Sequence, residues 1–189
     1  MKNGLFVGKF LPPHIGHLWA IDQASKQCDF LYILVAEDQE TCKKLCSQAN
    51  LPYFDLSTKT KWMKEALKNY PNVKILSLRE DGIRPMPEGW AEWAKAVQKL
   101  VGKHIDYIFG SEPIYAPYYE KYFPKSNYIQ QDPDRTHFNI SATQVRANLK
   151  ENLPFIITSA KPFFEKFLKN QSKKQNKQSD KDKKIKSTK

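Results

Sequence analysis

The apolar residues of the chain fall into short runs that are separated by longer amphipathic stretches. Five runs are rich in Val, Ile, Phe and Tyr and have the length of buried β-strands, whereas the stretches between them have helical spacing. The predicted strands span residues 5–7, 30–36, 73–78, 107–109 and 128–130. Because these strands alternate with helices along the chain, the pattern predicts an α/β fold with a five-stranded parallel sheet.

The predicted helices should cover both faces of this sheet, which gives a three-layer α/β/α arrangement. They span residues 17–27, 57–70, 87–101, 114–123 and 141–152. Ser57 and Ser141 are the predicted N-caps of the second and the last helix. Open parallel sheets bind ligands outside the carboxyl ends of their strands. At these ends stand the most unusual segments of the chain, GKFLPPHIGH, AEDQE, RED and GSEP.

The segment GKFLPPHIGH, residues 8–17, follows the first predicted strand. Gly8 permits a tight exit from the strand, Lys9 adds a positive charge, and Gly16 removes bulk where the helix begins. His14 and His17 are three residues apart and should share one face of the first helical turn, at the positive end of the helix dipole. This arrangement suits phosphate oxygens. A metal site, which lacks a third ligand nearby, and packed core histidines are the alternatives.

The same segment matches the pattern G-x-F-x-P-x-H-x-G-H of the nucleotidyltransferase superfamily at each fixed position. A second element of that superfamily, I-S-x-T-x-x-R, is matched by ISATQVR at residues 140–146. Alone, ISATQVR could be an ordinary capped surface helix. Two motifs in the expected order, more than a hundred residues apart, make the resemblance specific, and it implies a Rossmann-like version of the three-layer fold.

The middle of the chain narrows the resemblance. The segments PEGWAEWAKAV, GSEPIYAPYYEKYF and DPDR, the last at residues 132–135, are similar to the adenylyltransferase domain of bacterial bifunctional nicotinamide-mononucleotide adenylyltransferase/ribosylnicotinamide kinase proteins. The resemblance covers roughly residues 4–155. The sequence contains no G-x-x-x-x-G-K-[ST] phosphate loop and reaches its first strand almost at once. Kinase activity and operator binding are therefore not expected.

The resemblance implies transfer of an adenylyl group from ATP to nicotinamide mononucleotide, with Mg²⁺ arriving with ATP and no metal cage in the protein. The residues expected at the phosphates are His14, His17, Lys9 and Arg146. Those expected to bind ATP are Gly8, Phe10, Gly16, Gly110, Ser111, Glu112, Ser141 and Thr143. Trp90 or Trp93, with Trp93 preferred, is expected to stack on the pyridine ring, although both could belong to the helix core.

Other functions remain compatible with these motifs. The acceptor could be nicotinate mononucleotide or phosphopantetheine, and a non-catalytic module that senses nucleotides or binds RNA would use the same phosphate site. A substrate panel separates the acceptors, and deletion of the basic carboxyl terminus separates the non-catalytic module from the enzyme. No specific nucleic-acid partner is expected, and a homo-oligomer is compatible with the family.

Charge and length set the domain boundaries. The chain of 189 residues is long enough for one full-sized domain, expected at residues 1–165. Its net charge of +11 is concentrated in residues 166–189, which hold ten lysines and two aspartates. This segment has few apolar residues and is predicted to be a disordered tail. It either remains solvated or docks weakly to RNA, membrane or an acidic partner.

The remaining residues point to a reducing compartment. The three cysteines, Cys28, Cys42 and Cys46, are odd in number and lack the spacing of a zinc site, so reduced thiols are expected. No apolar run is long enough for a signal peptide or a membrane span, and a cytoplasmic protein is expected. His104 and His137 are interpreted as structural histidines.

Overall fold

The structure, a computed structural model, describes residues 1–134 and 136–186, with side chains up to residue 174. Its strands are β1 (Asn3–Gly8), β2 (Phe30–Glu37), β3 (Val73–Arg79), β4 (Tyr107–Gly110) and β5 (Asn127–Gln130). Its α-helices are α1 (Ile15–Ser25), α2 (Gln39–Gln48), α3 (Leu56–Ala66), α4 (Trp90–Val101), α5 (Ala116–Tyr122), α6 (Ala142–Ala147), α7 (Leu149–Asn152) and α8 (Lys161–Lys186). Pro113–Tyr115 and Leu153–Phe155 form short 3-10 helices.

The five strands form one parallel sheet in the order β3-β2-β1-β4-β5, which confirms the predicted sheet. Phe6 in β1 lies opposite Ile33 in β2 and Phe109 in β4, so β1 is the central strand. The chain moves outward from β1 to β3 on one side and from β4 to β5 on the other. Because the connections diverge between β1 and β4, a crevice opens at the carboxyl ends of these two strands.

The alternation of side chains along each strand divides the core between the two faces of the sheet. Phe6 and Phe109 belong to one cluster of buried residues, which also holds side chains of α1, α2, α3 and α8. Leu5 and Ile108, their neighbours in the chain, belong to a second cluster with α4 and α5. The three-layer Rossmann-like fold is therefore confirmed, with helices on both faces.

Helix α2 and the start of α3 differ from the sequence prediction. Helix α2 was not predicted, because its apolar positions are few, although Asp38 caps it by accepting a bond from the Thr41 N–H. The predicted cap Ser57 is wrong, since Asp55 caps α3 by accepting from the Thr58 N–H at 2.8 Å. One polar side chain before the first turn is sufficient to begin each helix.

The predicted helix 141–152 begins as expected and then breaks. Ser141 caps α6, because its Oγ accepts a bond from the Gln144 N–H at 3.2 Å, which confirms the predicted cap. The helix is interrupted at Asn148, whose φ of −143° and ψ of 77° are not helical. The Asn148 side chain then caps α7. The two motif-bearing residues Thr143 and Arg146 remain together on α6.

The carboxyl-terminal segment differs from the predicted disordered tail, because α8 continues to Lys186 as one helix. Its first turns carry the buried Phe164 and the partly buried Phe167 and Leu168, so the expected boundary at residue 165 falls inside a packed helix. Lys and Gln, which dominate the following turns, have favourable helix propensities. Residues 187–189 lie outside the described residues. Within the described residues, no helix has the length and apolar character needed to cross a membrane.

Candidate active site

The two motif histidines meet at the start of α1. His14 is the N-cap, with extended backbone angles, and His17 occupies the third helical position. His14 therefore precedes the first helical turn that was predicted to hold it, yet the two ring centroids are only 3.7 Å apart. The His14 N–H donates to Nδ1 of His17 at 3.1 Å. Because Nδ1 of His17 is an acceptor, its Nε2 carries the proton in the neutral ring and has the character of a donor.

A cavity of about 290 Å³ opens beside this pair at the carboxyl ends of β1 and β4. We call it the histidine cavity. Of the predicted site residues it is lined by His14, Gly16, His17, Gly110, Ser111, Glu112, Ser141 and Thr143. A Cβ at Gly16 would lie 3.1 Å from Nδ1 of His14, so glycine at this position leaves space for the His14 ring.

The histidine cavity has a wall that the sequence analysis missed. Trp19, Phe138 and Asp132 also line it, and the His137 ring stacks on Trp19 with centroids 4.2 Å apart. His137, interpreted from the sequence as an isolated structural histidine, therefore belongs to the edge of this site. The position of Trp19, only two residues after His17, could have indicated that it lies at the site. Its partner His137 lies in a loop that is distant in sequence.

Asp132 orders that loop. Its backbone has a positive φ of 44°, and its carboxylate accepts bonds from the Thr136 N–H and hydroxyl, both at 2.7 Å, and from the His137 N–H at 3.1 Å. The bond from the Thr136 hydroxyl, with the backbone donors, lowers the pKa of Asp132 below its ordinary range. Arg135, the last residue of the DPDR segment, lies outside the described residues.

A second cavity of about 330 Å³ adjoins the first on the opposite side of the β1 and β4 ends. We call it the tryptophan cavity. Lys9, Glu80, Trp90 and Trp93 line it, and so do three tyrosines, Tyr115, Tyr119 and Tyr128. The two cavities share the lining residues Val7, Gly110, Ser111 and Glu112. The sequence-predicted phosphate and pyridine sites are therefore adjacent in space.

Both tryptophans line the cavity and are also packed into the core, with 4% of Trp90 and 3% of Trp93 exposed. Trp90 stacks face to face on Tyr118, with an interplanar angle of 8°. Trp93 instead donates its Nε1–H to a carboxylate oxygen of Glu80 at 2.7 Å. Both indoles are therefore held by contacts within the protein, Trp90 by the stack on Tyr118 and Trp93 by the bond to Glu80.

Phe10 lines neither cavity. It is 1% exposed, its backbone has a positive φ of 47°, and its ring lies against Gly8, where a Cβ would be 2.8 Å from a ring carbon. The Phe10 ring also meets the His17 ring edge to face at 5.0 Å. Phe10 therefore packs against the motif residues Gly8 and His17 without lining a cavity. Of Phe10 and Gly8, only Gly8 lines the tryptophan cavity.

Arg146 also lies outside the lining of both cavities. Its guanidinium donates to the Leu11 carbonyl at 2.6 Å and to Oγ1 of Thr143 at 3.1 Å. Burial lowers the pKa of Arg146, because desolvation disfavours the charged form. These bonds tie α6 to the turn that carries the first motif, so the two motifs form one structural unit.

The acidic residue at the end of β2 has a structural role in this molecule. Glu37 and Lys59 are both 0% exposed and form an ion pair, with Nζ to Oε2 at 2.8 Å. The Tyr53 hydroxyl donates to the same carboxylate at 2.8 Å, and burial raises the pKa of Tyr53 to about 12. The pair joins the end of β2 to α3. Among the described residues, no three His, Cys, Asp or Glu side chains form a group that could hold a metal ion.

The order of the strands, the histidine pair at the first helix and the two cavities at the switch point define a nucleotidyltransferase of Rossmann-like fold. The chain belongs to the cytidylyltransferase-like family, whose model matches residues 5–148. It is similar to the trifunctional NAD biosynthesis/regulator protein NadR of Salmonella typhimurium, with 32% identity over 168 residues. That match covers 86% of this chain and 41% of the relative, so the chain spans less than half of the relative's length.

Solved structures show the same fold. A NadR protein in complex with NAD and AMP-PNP is 26% identical, with a TM-score of 0.63 over 84% of this chain and 45% of that one. A bifunctional NMN adenylyltransferase/ADP ribose pyrophosphatase from Francisella tularensis has a TM-score of 0.62 at 21% identity, over 89% of this chain and 50% of that one. The second likeness concerns the fold alone.

Proposed function

We propose that the chain transfers the adenylyl group of ATP to nicotinamide mononucleotide, which yields NAD and pyrophosphate. The observation that carries the proposal is the junction of the histidine cavity and the tryptophan cavity at residues 110–112. A reaction between two nucleotides requires that both bind at once with their phosphates at a common edge. The similar NadR structure, which holds NAD and AMP-PNP, supports this choice of substrates.

ATP occupies the histidine cavity in this proposal. The positive end of the α1 dipole and the Nε2–H of His17 face the phosphates, since Nδ1 of His17 is already occupied by the His14 N–H. The hydroxyls of Ser141 and Thr143, which line the same cavity, supply further hydrogen-bonding groups. Trp19, stacked on His137, offers an aromatic surface for the adenine base.

The mononucleotide occupies the tryptophan cavity. The indole of Trp93 is a suitable partner for a flat, electron-poor pyridinium ring. Lys9 lies in this cavity next to the shared edge, so we infer that it faces the phosphate of the mononucleotide as well as the ATP phosphates. Arg146 acts on the phosphates through its position between the two motifs, where it holds Thr143.

The chemistry requires no general base. An oxygen of the mononucleotide 5′-phosphate attacks the α-phosphorus of ATP in line, a new P–O bond forms, and the bond to the β-phosphate oxygen breaks. The electron pair leaves with pyrophosphate, whose charge would be neutralised by Mg²⁺ arriving with ATP. Because a phosphate is already ionised at neutral pH, catalysis consists of alignment and of donors such as His17 that stabilise the transition state.

The test is pyrophosphate release from ATP and Mg²⁺ with four acceptors offered separately: nicotinamide mononucleotide, nicotinate mononucleotide, phosphopantetheine and flavin mononucleotide. We expect fast release with nicotinamide mononucleotide and NAD as the product. Release with phosphopantetheine or flavin mononucleotide instead would contradict the proposed acceptor. Absence of release with all four, together with tight ATP binding, would contradict the proposed reaction and favour a nucleotide sensor.

A further inference from the structure

One partly buried carboxylate lies among the aromatic side chains of the tryptophan cavity. Three charged residues line this cavity, and two of them, Lys9 and Glu112, are exposed. Glu80 is partly buried and accepts the indole N–H of Trp93 at 2.7 Å. Its position is rigid, because it directly follows β3 and its backbone N–H donates to the Glu37 carbonyl at 2.8 Å.

The Trp93 bond uses one of the two oxygens of this carboxylate. In the part of the chain that the structure describes, no second side-chain or backbone donor lies within hydrogen-bond distance of it. Because Glu80 lines the cavity and is only partly buried, its carboxylate can accept a further hydrogen bond from solvent or from a ligand. A ligand that occupies the cavity and displaces this solvent is therefore a natural source of that donor.

We propose that Glu80 selects the amide form of the pyridine nucleotide by accepting a hydrogen bond from its carboxamide and by repelling the carboxylate of nicotinate mononucleotide. This inference rests on the proposed function, because it assumes that the mononucleotide occupies the tryptophan cavity. Both mononucleotides carry the same pyridinium ring, ribose and phosphate, so their difference is confined to one substituent.

The chemistry of that substituent gives a large expected discrimination. A carboxamide N–H that donates to an ionised carboxylate forms a charge-assisted hydrogen bond. The carboxylate of nicotinate has no proton to donate, and it would place two like charges side by side in a site with limited solvent. Sites that pair with a substrate N–H reject analogues lacking it strongly. We therefore expect a preference for nicotinamide mononucleotide on the order of 10²-fold or more in kcat/KM.

The test compares both mononucleotides in the wild type and in Glu80→Gln. The glutamine carbonyl can still accept the Trp93 N–H, while its NH₂ group can donate to a carboxylate, so the substitution preserves size and inverts the preference for donor or acceptor. We expect the ratio of kcat/KM values to fall by on the order of 10-fold or more in this variant, through better use of nicotinate mononucleotide.

A matched control separates this effect from a general loss of negative charge. Glu88 is an exposed carboxylate in the loop before α4 and does not line the tryptophan cavity. Glu88→Gln should leave the ratio unchanged. If Glu80→Gln does not fold, which circular dichroism would show, Glu80→Asp provides the second variant. Its carboxylate is retracted by one methylene, and the ratio should fall without better use of nicotinate mononucleotide.

Equilibrium binding distinguishes failure of this inference from failure of the proposed function. Quenching of tryptophan fluorescence by each mononucleotide reports selectivity without turnover. Selective binding that is lost in Glu80→Gln, without any NAD formation, would leave the inference standing and contradict the proposed reaction. NAD formation with an unchanged ratio in Glu80→Gln, wild-type preference for nicotinate mononucleotide, or wild-type binding of neither mononucleotide would overturn the inference.

Discussion

The histidine cavity and the tryptophan cavity share one edge but are built in different ways. Most polar groups of the first come from two continuous segments, residues 8–17 and 140–146, and they include backbone groups at a helix start. The second is assembled from residues of β1, β2, α4, β4, α5 and β5 and of the segments between them, and six of its fifteen lining residues are aromatic. In the proposed function, the phosphates therefore meet groups of two local segments, whereas the flat ring meets surfaces gathered from distant parts of the chain.

The largest expected effect concerns the buried ion pair of Glu37 and Lys59, whose side chains line neither cavity. Lys59→Met removes the cation of the buried ion pair and leaves the charge of Glu37 in a site that is 0% exposed. We expect the free energy of unfolding in urea to fall by about 3 kcal/mol, because breaking one half of a buried pair is costly. The KM values of the folded fraction should not change.

Two further variants serve as controls for this prediction. Lys68→Met removes an exposed pair with Glu65, whose side chains are about 60% exposed, and should leave the unfolding midpoint unchanged. The double variant Glu37→Gln, Lys59→Met should recover part of the lost stability, since no charge remains buried. Equal stability of Lys59→Met and the wild type would show that the buried pair contributes nothing.

The next effect concerns the chemistry in the histidine cavity. His17→Ala removes a donor that is oriented by the His14 N–H, and we expect kcat to fall on the order of 10²-fold or more. The KM for the mononucleotide should change little, because that ligand occupies the other cavity. The exposed His104, which lines neither cavity, provides the control substitution His104→Ala. Wild-type turnover in His17→Ala would contradict the role of the histidine pair.

A smaller effect is expected in the tryptophan cavity. Trp93→Leu removes the proposed stacking surface, so the KM for the mononucleotide should rise about 10-fold while the KM for ATP stays constant. Trp62, a buried tryptophan on the opposite face of the sheet, offers the same substitution away from the site. Trp62→Leu should lower stability and change neither KM. A parallel rise in the KM for ATP in Trp93→Leu would contradict the assignment of the two ligands to different cavities.

The smallest effect is a pH dependence of selectivity. Burial raises the pKa of Glu80 above its ordinary value of 4.5, and the charge of Asp38 raises it further. The Trp93 bond and the charges of Lys9 and Lys59 lower it, but burial is the larger effect. Below this pKa the side chain is protonated and tolerates a ligand carboxylate. The preference for nicotinamide mononucleotide should therefore increase as the pH rises through that value.

This pH dependence is measured as the ratio of kcat/KM for the two mononucleotides, in which the titration of their common phosphate cancels. Glu80→Gln should give a ratio that does not depend on pH, because the titrating group is gone. A wild-type ratio that is flat from acid to neutral pH would contradict the role of Glu80 as the discriminating charge.

Much of the framework could be predicted from the sequence. All five strands and the parallel sheet followed from apolar runs that are too short for buried helices, and the cap at Ser141 followed from one residue. Helix α2 was missed because its few apolar residues, such as Cys42 and Cys46, give a weak helical pattern. The length of α8 was missed because the prediction considered only that the segment has few apolar residues to bury. Lys and Gln also have favourable helix propensities, and the helix continues to Lys186.

The site also has features that could be predicted from the sequence and features that could not. The pairing of His14 and His17 was predictable because the two residues are three positions apart, so the local backbone sets the distance between their rings. The stacking of Trp19 on His137 and the bond from Trp93 to Glu80 join residues that are far apart in sequence, and no local pattern links them. Arg146 was predicted to face the phosphates, whereas the structure shows its guanidinium bonded to Leu11 and Thr143.

The sequence by itself determined the class of fold and the histidine pair at the first helix, because strand periodicity and a helix start depend on residues within one short segment. Only the tertiary structure decided that the two cavities share residues 110–112 and that a carboxylate stands within the aromatic wall. These features depend on the order in which the strands assemble and on which faces of α4 and α5 meet the sheet. The packing of elements that are distant in sequence sets the strand order and these helix faces, and local sequence patterns do not predict that packing.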